Sequence, residues 1–248
     1  MKRAIWNIIS STASSRAALE GATIGGARVT IRVSPRARRM RLRVDPKTRG
    51  VTLTVPKRTS QRRALAWAAG HREWIAEALA ALPPAQPFAP DAPVPLEGIA
   101  HRLDWDPARP RRIERGDGRL LAGGPREGLE RRVERWLKAH ALDLLGRETR
   151  EYGEKAGVMA SRVAVGDPVS RWGSCSSSGT IRYSWRLILA PEFVRRATVA
   201  HEVAHLVHLD HGPDFHALVE TLLGSDPKPA RIWLRREGAS LHRIGLSA

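Results

Sequence analysis

Five of the nine histidines fall between His201 and His216. Two of them bracket a glutamate in the order His201-Glu202-Val203-Ala204-His205, an H-E-x-x-H pattern. On a helix, residues four apart lie on one face. His201 and His205 can therefore aim two imidazole nitrogens at one zinc ion. Glu202 follows the first ligand and projects beside the metal, where a carboxylate can hold and deprotonate a water molecule. A third ligand would leave the fourth position open for that water.

Three residues compete for the third place. His211 lies six positions after His205, beyond a helix end expected near Gly212-Pro213, and a chain that turns there brings it back to the metal. His208 stays near the helix face and serves equally as a neighbour of the ligands or a donor to substrate. Glu220, on a following helical segment from Phe215 to Leu223, would make a two-histidine, one-glutamate site. His211 is the preferred reading.

The elements that must carry this constellation can be read around it. Pro191 suits the first turn of a helix. Phe193, Val194, Ala197, Ala200, Ala204 and Val207 then supply a buried stripe at helical spacing. Upstream, Arg171-Trp172-Gly173-Ser174-Cys175-Ser176 and Gly179 to Ala190 read as strand, turn and strand feeding into that helix. A strand beside a metal-binding helix can dock an extended peptide through its main chain; the plainer reading makes Trp172 and Trp185 packing anchors of a core hairpin. His208, Arg171, Trp172 and Arg186 are candidates for contacting substrate or supporting the ligands, and His208, Arg171 and Arg186 for stabilising a developing oxyanion. Cys175, the only cysteine, reads as a small packed residue.

The remainder divides by periodicity. Residues 1–23 show no clear period and form an N-terminal tail, loosely ordered or a short helix at most. From Ala27, the alternating Val29/Ile31/Val33, Met40/Leu42/Val44 and Val51/Leu53/Val55 mark half-buried strands. They predict a small antiparallel sheet with an arginine-rich face. Thr59 or Ser60 caps a helix running to about Leu82. A link from Pro83 to Pro95 holds six prolines and runs extended. A weaker strand pair is expected at 99–103 and 119–122, a long helix over Leu129 to Gly153, and a short strand at Val163 and Val165.

Composition bounds the partners. The chain has 248 residues and a net charge of +17, with 36 arginines against 6 lysines. Such a field draws anions, so nucleic acid is admitted as a partner. A GC-rich coding bias would raise Arg, Ala, Gly and Pro together and leave solvated basic faces; the dispersal of the arginines favours that explanation. No apolar run approaches the ~18 residues of a membrane span. A single cysteine excludes a disulfide framework and fits a cytoplasmic protein.

Three separated motifs together resemble the YgjP-like (DUF45) family of zinc metallopeptidases. They are R-W-G-S-C-S-x-x-G-x-I with W-R-L-x-x-x-P, then H-E-x-x-H-L-x-x-x-x-H-G-x-x-F, and the early S-P-R-A-R-R-M-R-L-R-V. The resemblance spans about residues 24–238. It implies His201, His205 and His211 as zinc ligands, Glu202 as catalytic acid/base, peptide or protein substrates, and kinship with SprT-type proteases. It also implies an α+β fold, with N-terminal antiparallel strands packed with a helical zincin-like core. Residues 24–82 would form the β-rich part with its helix, 83–95 the link and 96–238 the zinc-binding part. His216 stands where the family tends to have Trp, and Ser184 where an Asn often precedes Trp185. Metzincins share the third-histidine spacing, but His208 occupies their glycine position and no methionine follows the motif. SprT-type proteases act on protein attached to DNA, which the charge would suit. A non-catalytic nucleic-acid-binding zinc protein is the remaining alternative.

Overall fold

The computed structural model describes residues 19–247. The expectation of a loosely ordered start therefore falls, for residues 1–18, outside the described residues. The chain divides into two compact units between Pro84 and Ala85.

In the first unit, β1 (Leu19–Ile24), β2 (Ala27–Ser34), β3 (Arg41–Val44) and β4 (Val51–Pro56) form one sheet in the order β1-β2-β4-β3. The tail expected to extend to residue 23 thus ends in a strand. The sheet is mixed rather than wholly antiparallel, because β2 and β4 run parallel with Val29 opposite Val51 and Ile31 opposite Leu53. Alternation identifies which face of a strand is buried, not the direction of its neighbour. Val29, Ile31, Val51, Leu53 and Val55 are buried on one face. Ala64, Ala68, Ile75 and Leu79 join them in one core from α1 (Gln61–Ala69) and α2 (Arg72–Ala80).

Ser60 caps α1, its Oγ accepting the Arg63 N–H at 3.3 Å. The single helix expected to reach Leu82 is broken at Gly70-His71. Gly70 is a poor helix former, and the His71 imidazole bonds the Trp67 carbonyl at 2.8 Å, satisfying an acceptor that the next helical turn would otherwise have taken.

The second unit holds the chemistry. β5 (Pro93–Leu96), β6 (Ile99–Asp106), β7 (Ile113–Gly116) and β8 (Arg119–Gly123) form a sheet in the order β5-β6-β8-β7. The Pro-rich link, expected to run extended, turns at Pro90-Asp91, where Ala92 N–H bonds the Ala89 carbonyl and Asp91 has φ 62°; Pro93 then opens β5, an edge position where a proline is tolerated. The helix α3 (Leu129–Ala156) buries Leu129, Val133, Leu137, Ala141 and Leu145 along one stripe. After it come β9 (Arg162–Gly166), β10 (Gly173–Cys175) and β11 (Thr180–Ser184), ordered β10-β11-β9. The strand expected to run on to Ala190 stops at Ser184, and Trp185–Leu189 form a fully buried 3₁₀ turn instead. Three helices complete the unit: α4 (Glu192–Ala204), α5 (Pro213–Leu223) and α6 (Lys228–Arg243). The class is α+β.

Two devices seat α4. At the β5–β6 hairpin, Glu97 and Gly98 have φ of 54° and 79°, the left-handed pair that a tight two-residue turn requires. A Cβ on Gly98 would lie 2.8 Å from the Cα of Pro191, so the hairpin tip packs flush against the residue that opens α4. One turn further along, the buried Arg195 of α4 pairs with the buried Glu148 of α3 at 2.9 Å. A second Arg195 nitrogen donates to the same carboxylate at 3.0 and 3.2 Å.

Candidate metal centre

The last turn of α4 carries His201 and Glu202, and the helix ends at Ala204 with His205 as its C-cap. It was expected to continue towards Gly212. Instead the main-chain N–H groups of Leu206, Val207 and His208 all fold back on carbonyls of the last helical residues. This early exit returns His211 to the helix end. His201, His205 and His211 each present one ring nitrogen, and the three atoms lie within 4.8 Å of one another. The Nε2 atoms of His201 and His211 are 3.4 Å apart.

The donor set fits a small tetrahedral cation. Nitrogen ligands bound at about 2.0–2.1 Å in tetrahedral geometry stand about 3.3 Å from one another, close to the His201–His211 separation. The tautomer of His205 is set by its neighbour. Its Nδ1 lies 3.0 Å from the His208 carbonyl oxygen. A carbonyl only accepts, so Nδ1 carries the proton and Nε2 keeps its lone pair for a metal. Burial lowers the pKa of His201 to about 3, with His205 and His211 adding to the effect, and burial also lowers those of His205 and His211. All three are therefore neutral near pH 7, as ligating imidazoles must be. Phe215 closes the cluster from α5, its ring 4.9, 4.5 and 4.7 Å from those of His201, His205 and His211.

Glu202 is 3% exposed. Burial pushes its carboxyl up to about 8, against the opposing pull of the Arg171 guanidinium and the Cys175 main chain. It sits against β10. A Cβ on Gly173 would fall 2.4 Å from Glu202 Oε1 and 2.6 Å from its Cγ. A glycine is thus what lets β10 lie beside the carboxylate.

The other candidates separate. Arg171 and Trp172 line a cleft next to His201 and Glu202. Trp172 stacks on His242 with ring centroids 4.8 Å apart, close against Gly238 of α6. Arg186 does not reach the cleft. It is buried, paired with Asp167 at 2.8 Å and donating to the carbonyls of Leu241 and Ile244. A buried guanidinium needs its donors filled, so Arg186 ties the start of the 3₁₀ turn to the end of α6. Glu220 lies exposed on α5 and does not join the three histidines. The Cys175 thiol is pushed up to about 11 by burial and by Glu202, so it stays protonated and is a poor nucleophile.

Residues 38–237 match the family model described as YgjP-like, metallopeptidase domain. The chain belongs to the YgjP-like metallopeptidase family. The match runs through both compact units and includes the whole histidine cluster. The chain thus carries a metallopeptidase domain, which implies a hydrolase with a metal ion and peptide or protein substrates. Comparisons with curated proteins and with solved structures return no match. Among the described residues, no helix is long and apolar enough to cross a membrane.

Sequence reasoning missed three parts of this YgjP-like site. Gly173 lay inside a quoted motif, but its role depends on a through-space approach that spacing cannot reveal. Phe215 was likewise visible without its ring contacts. Arg231 and Arg235, which line the cleft from α6 together with Lys228, were read only as part of the dispersed arginines, and Lys228 was not singled out. Their i, i+3, i+7 spacing was the available signal.

Proposed function

We propose that this chain is a zinc-dependent peptidase in which His201, His205 and His211 hold the metal and Glu202 is the general acid/base. The observation that carries this reading is the convergence of three imidazole nitrogens beside a buried carboxylate. Bound zinc would supply a Lewis acid that polarises the scissile carbonyl and acidifies water. The charge of a bound cation would favour the ionised form of Glu202, which would then take a proton from the attacking water and pass it to the leaving amine. Its position is kept by Gly173, and Arg171 supplies positive charge nearby. The open edge of β10, the terminal strand of its sheet, offers main-chain groups to an extended peptide lying along the cleft.

Residues 24–238 are taken as the metallopeptidase domain, and the lone cysteine supports a cytoplasmic setting. A purely structural zinc site is the weaker reading, since such sites are closed by four ligands, commonly with cysteine. The test pairs metal analysis with a proteome-derived peptide digest. Glu202→Gln is expected to retain zinc and lose hydrolysis; full activity in that variant would overturn the role of Glu202.

A further inference from the structure

The cleft beside His201 and Glu202 has a volume of about 430 Å³, within the range of ligand pockets. One wall is α4. The opposite wall is the first two turns of α6, where Pro227, Ala230 and Leu234 supply apolar surface. Lys228, Arg231 and Arg235 recur at i, i+3 and i+7 on this wall, and Arg171 adds a fourth cation from the side of β10. Among the described residues, Glu202 is the only carboxylate lining the same space.

What sets these cations apart is that they line one recess together; several basic residues elsewhere in the unit are instead held by acids. On α3, Lys138, Arg147 and Lys155 each pair with an acidic residue four positions earlier, and Arg196 of α4 pairs with Glu151. Among the described residues, none of Lys228, Arg231 and Arg235 is in an ion pair, and Arg171 is met only by the charge of Glu202. The one acid at the start of α6, Asp226, spends an oxygen on the Lys228 main-chain N–H at 2.8 Å. Charges left uncompensated along an apolar-walled recess recognise an anion, and the recess opens on the reacting groups.

We infer that this recess selects a carboxylate-bearing residue of the substrate next to the scissile bond. The inference rests on the peptidase reading and adds the class of substrate to it. The carboxylate can belong to an Asp or Glu side chain or to a free C-terminus. A nucleic-acid phosphate is the lesser fit. The three α6 cations span roughly 10 Å of helix at 1.5 Å per residue, bounded by walls, and do not form an open track along which a polyphosphate backbone could run.

The experiment has a cleavage arm and a binding arm. In the first, the zinc-loaded full chain digests a proteome-derived peptide library, and residue frequencies around the cut are compared with those from Lys228→Glu/Arg231→Glu. In the second, the Glu202→Gln chain, which does not turn over, is titrated with fluorescein-labelled alanine-glycine peptides. These carry one central Glu or Gln, each with a free or an amidated C-terminus. Enrichment of acidic residues at one subsite is expected, with roughly tenfold tighter binding of the Glu or free-carboxylate peptide at low salt. The charge-reversed variant should abolish or invert both effects, whereas Lys228→Arg/Arg231→Lys should keep them. The Glu/Gln contrast reports a side-chain carboxylate, and the free/amidated contrast a terminal one. Because Lys228 and Arg231 are exposed, an unchanged Tm checks that the variants fold.

Glu202-dependent cleavage without acidic preference, and with equal binding of all four peptides, overturns the inference and leaves the peptidase reading standing. No Glu202-dependent cleavage, with charge-selective binding intact, overturns the peptidase reading and keeps the anionic selection. A labelled DNA duplex that loses affinity in the charge-reversed variant, while the peptides bind equally, assigns the recess to nucleic acid and overturns the inference.

Discussion

Gly173 and Glu202 occupy complementary space: the position a Cβ would take on Gly173 is 2.4 Å from Glu202 Oε1. The clash would involve backbone on one side and a buried carboxylate on the other, so neither can move aside at little cost. Gly173→Ala should therefore push Glu202 out of place while leaving the histidines intact. Activity is expected to fall about 10²-fold, the scale associated with a misplacement near 1 Å, with zinc content unchanged. A fully active Gly173→Ala enzyme would show that the carboxylate is not held by this contact.

His208 and His211 should behave differently although both were candidates for the third ligand. His211 contributes its ring to the cluster, so His211→Ala is expected to lower zinc stoichiometry. His208 contributes its main-chain carbonyl, which orients His205. His208→Ala keeps that carbonyl and should bind zinc as the parent does. Competition with a metal chelator measures both, and equal zinc loss from the two variants would remove the distinction.

The Glu148–Arg195 pair joins α3 to the helix that carries the site. Removing Arg195 leaves the buried Glu148 carboxylate with only the more distant Arg196, 3.9 Å away, at a cost of up to about 3–5 kcal/mol. Arg195→Met should lower the urea midpoint accordingly. A double variant, Glu148→Leu with Arg195→Met, should recover much of the loss, since replacing both charges removes the orphan. Absence of recovery would mean that the pair also orients α4 through Glu97, whose carboxylate lies 3.8 Å from Arg195.

Acid sensitivity should arise partly at Glu151. Hydrogen bonds from Arg196 and then Lys155 hold its carboxyl at about 2, below its ordinary 4.5. A depressed carboxylate stabilises the folded state above its unfolded pKa, and that contribution is lost as pH falls through the folded value. The Tm difference between the parent and Glu151→Gln should therefore be full near neutrality and shrink as pH drops from about 4.5 towards 2. The group is 41% exposed, so the effect should be modest and weakened by salt. A difference that is constant across this range would exclude the ion pair as its source.

The local elements followed closely from residue order. Period-two runs located β2, β3 and β4, the apolar stripe located α3, and Pro191 marked the opening of α4. The His201–His205 pair was legible for the same reason, because ligands four apart on one helix need only local geometry. Interruptions were less visible. The break at Gly70-His71 depends on one imidazole capturing one carbonyl, and the stop at Ser184 on Trp185 to Leu189 burying every side chain in a tight turn.

Tertiary structure decided what depends on distant segments meeting. The parallel pairing of β2 with β4 could not be read from alternation, which is blind to strand direction. The meeting of His211, and not His208 or Glu220, with His201 and His205 followed from α4 ending at Ala204, a backbone event that the apolar stripe continuing to Val207 concealed. Arg186 and Arg171 look alike in sequence, yet one is consumed by Asp167 and the end of α6 while the other faces the cleft. Spacing along a chain encodes which side chains share a face of one element. Which elements then stand opposite each other is fixed by long-range packing, and it is there that Gly173 and the cations of α6 acquire their roles.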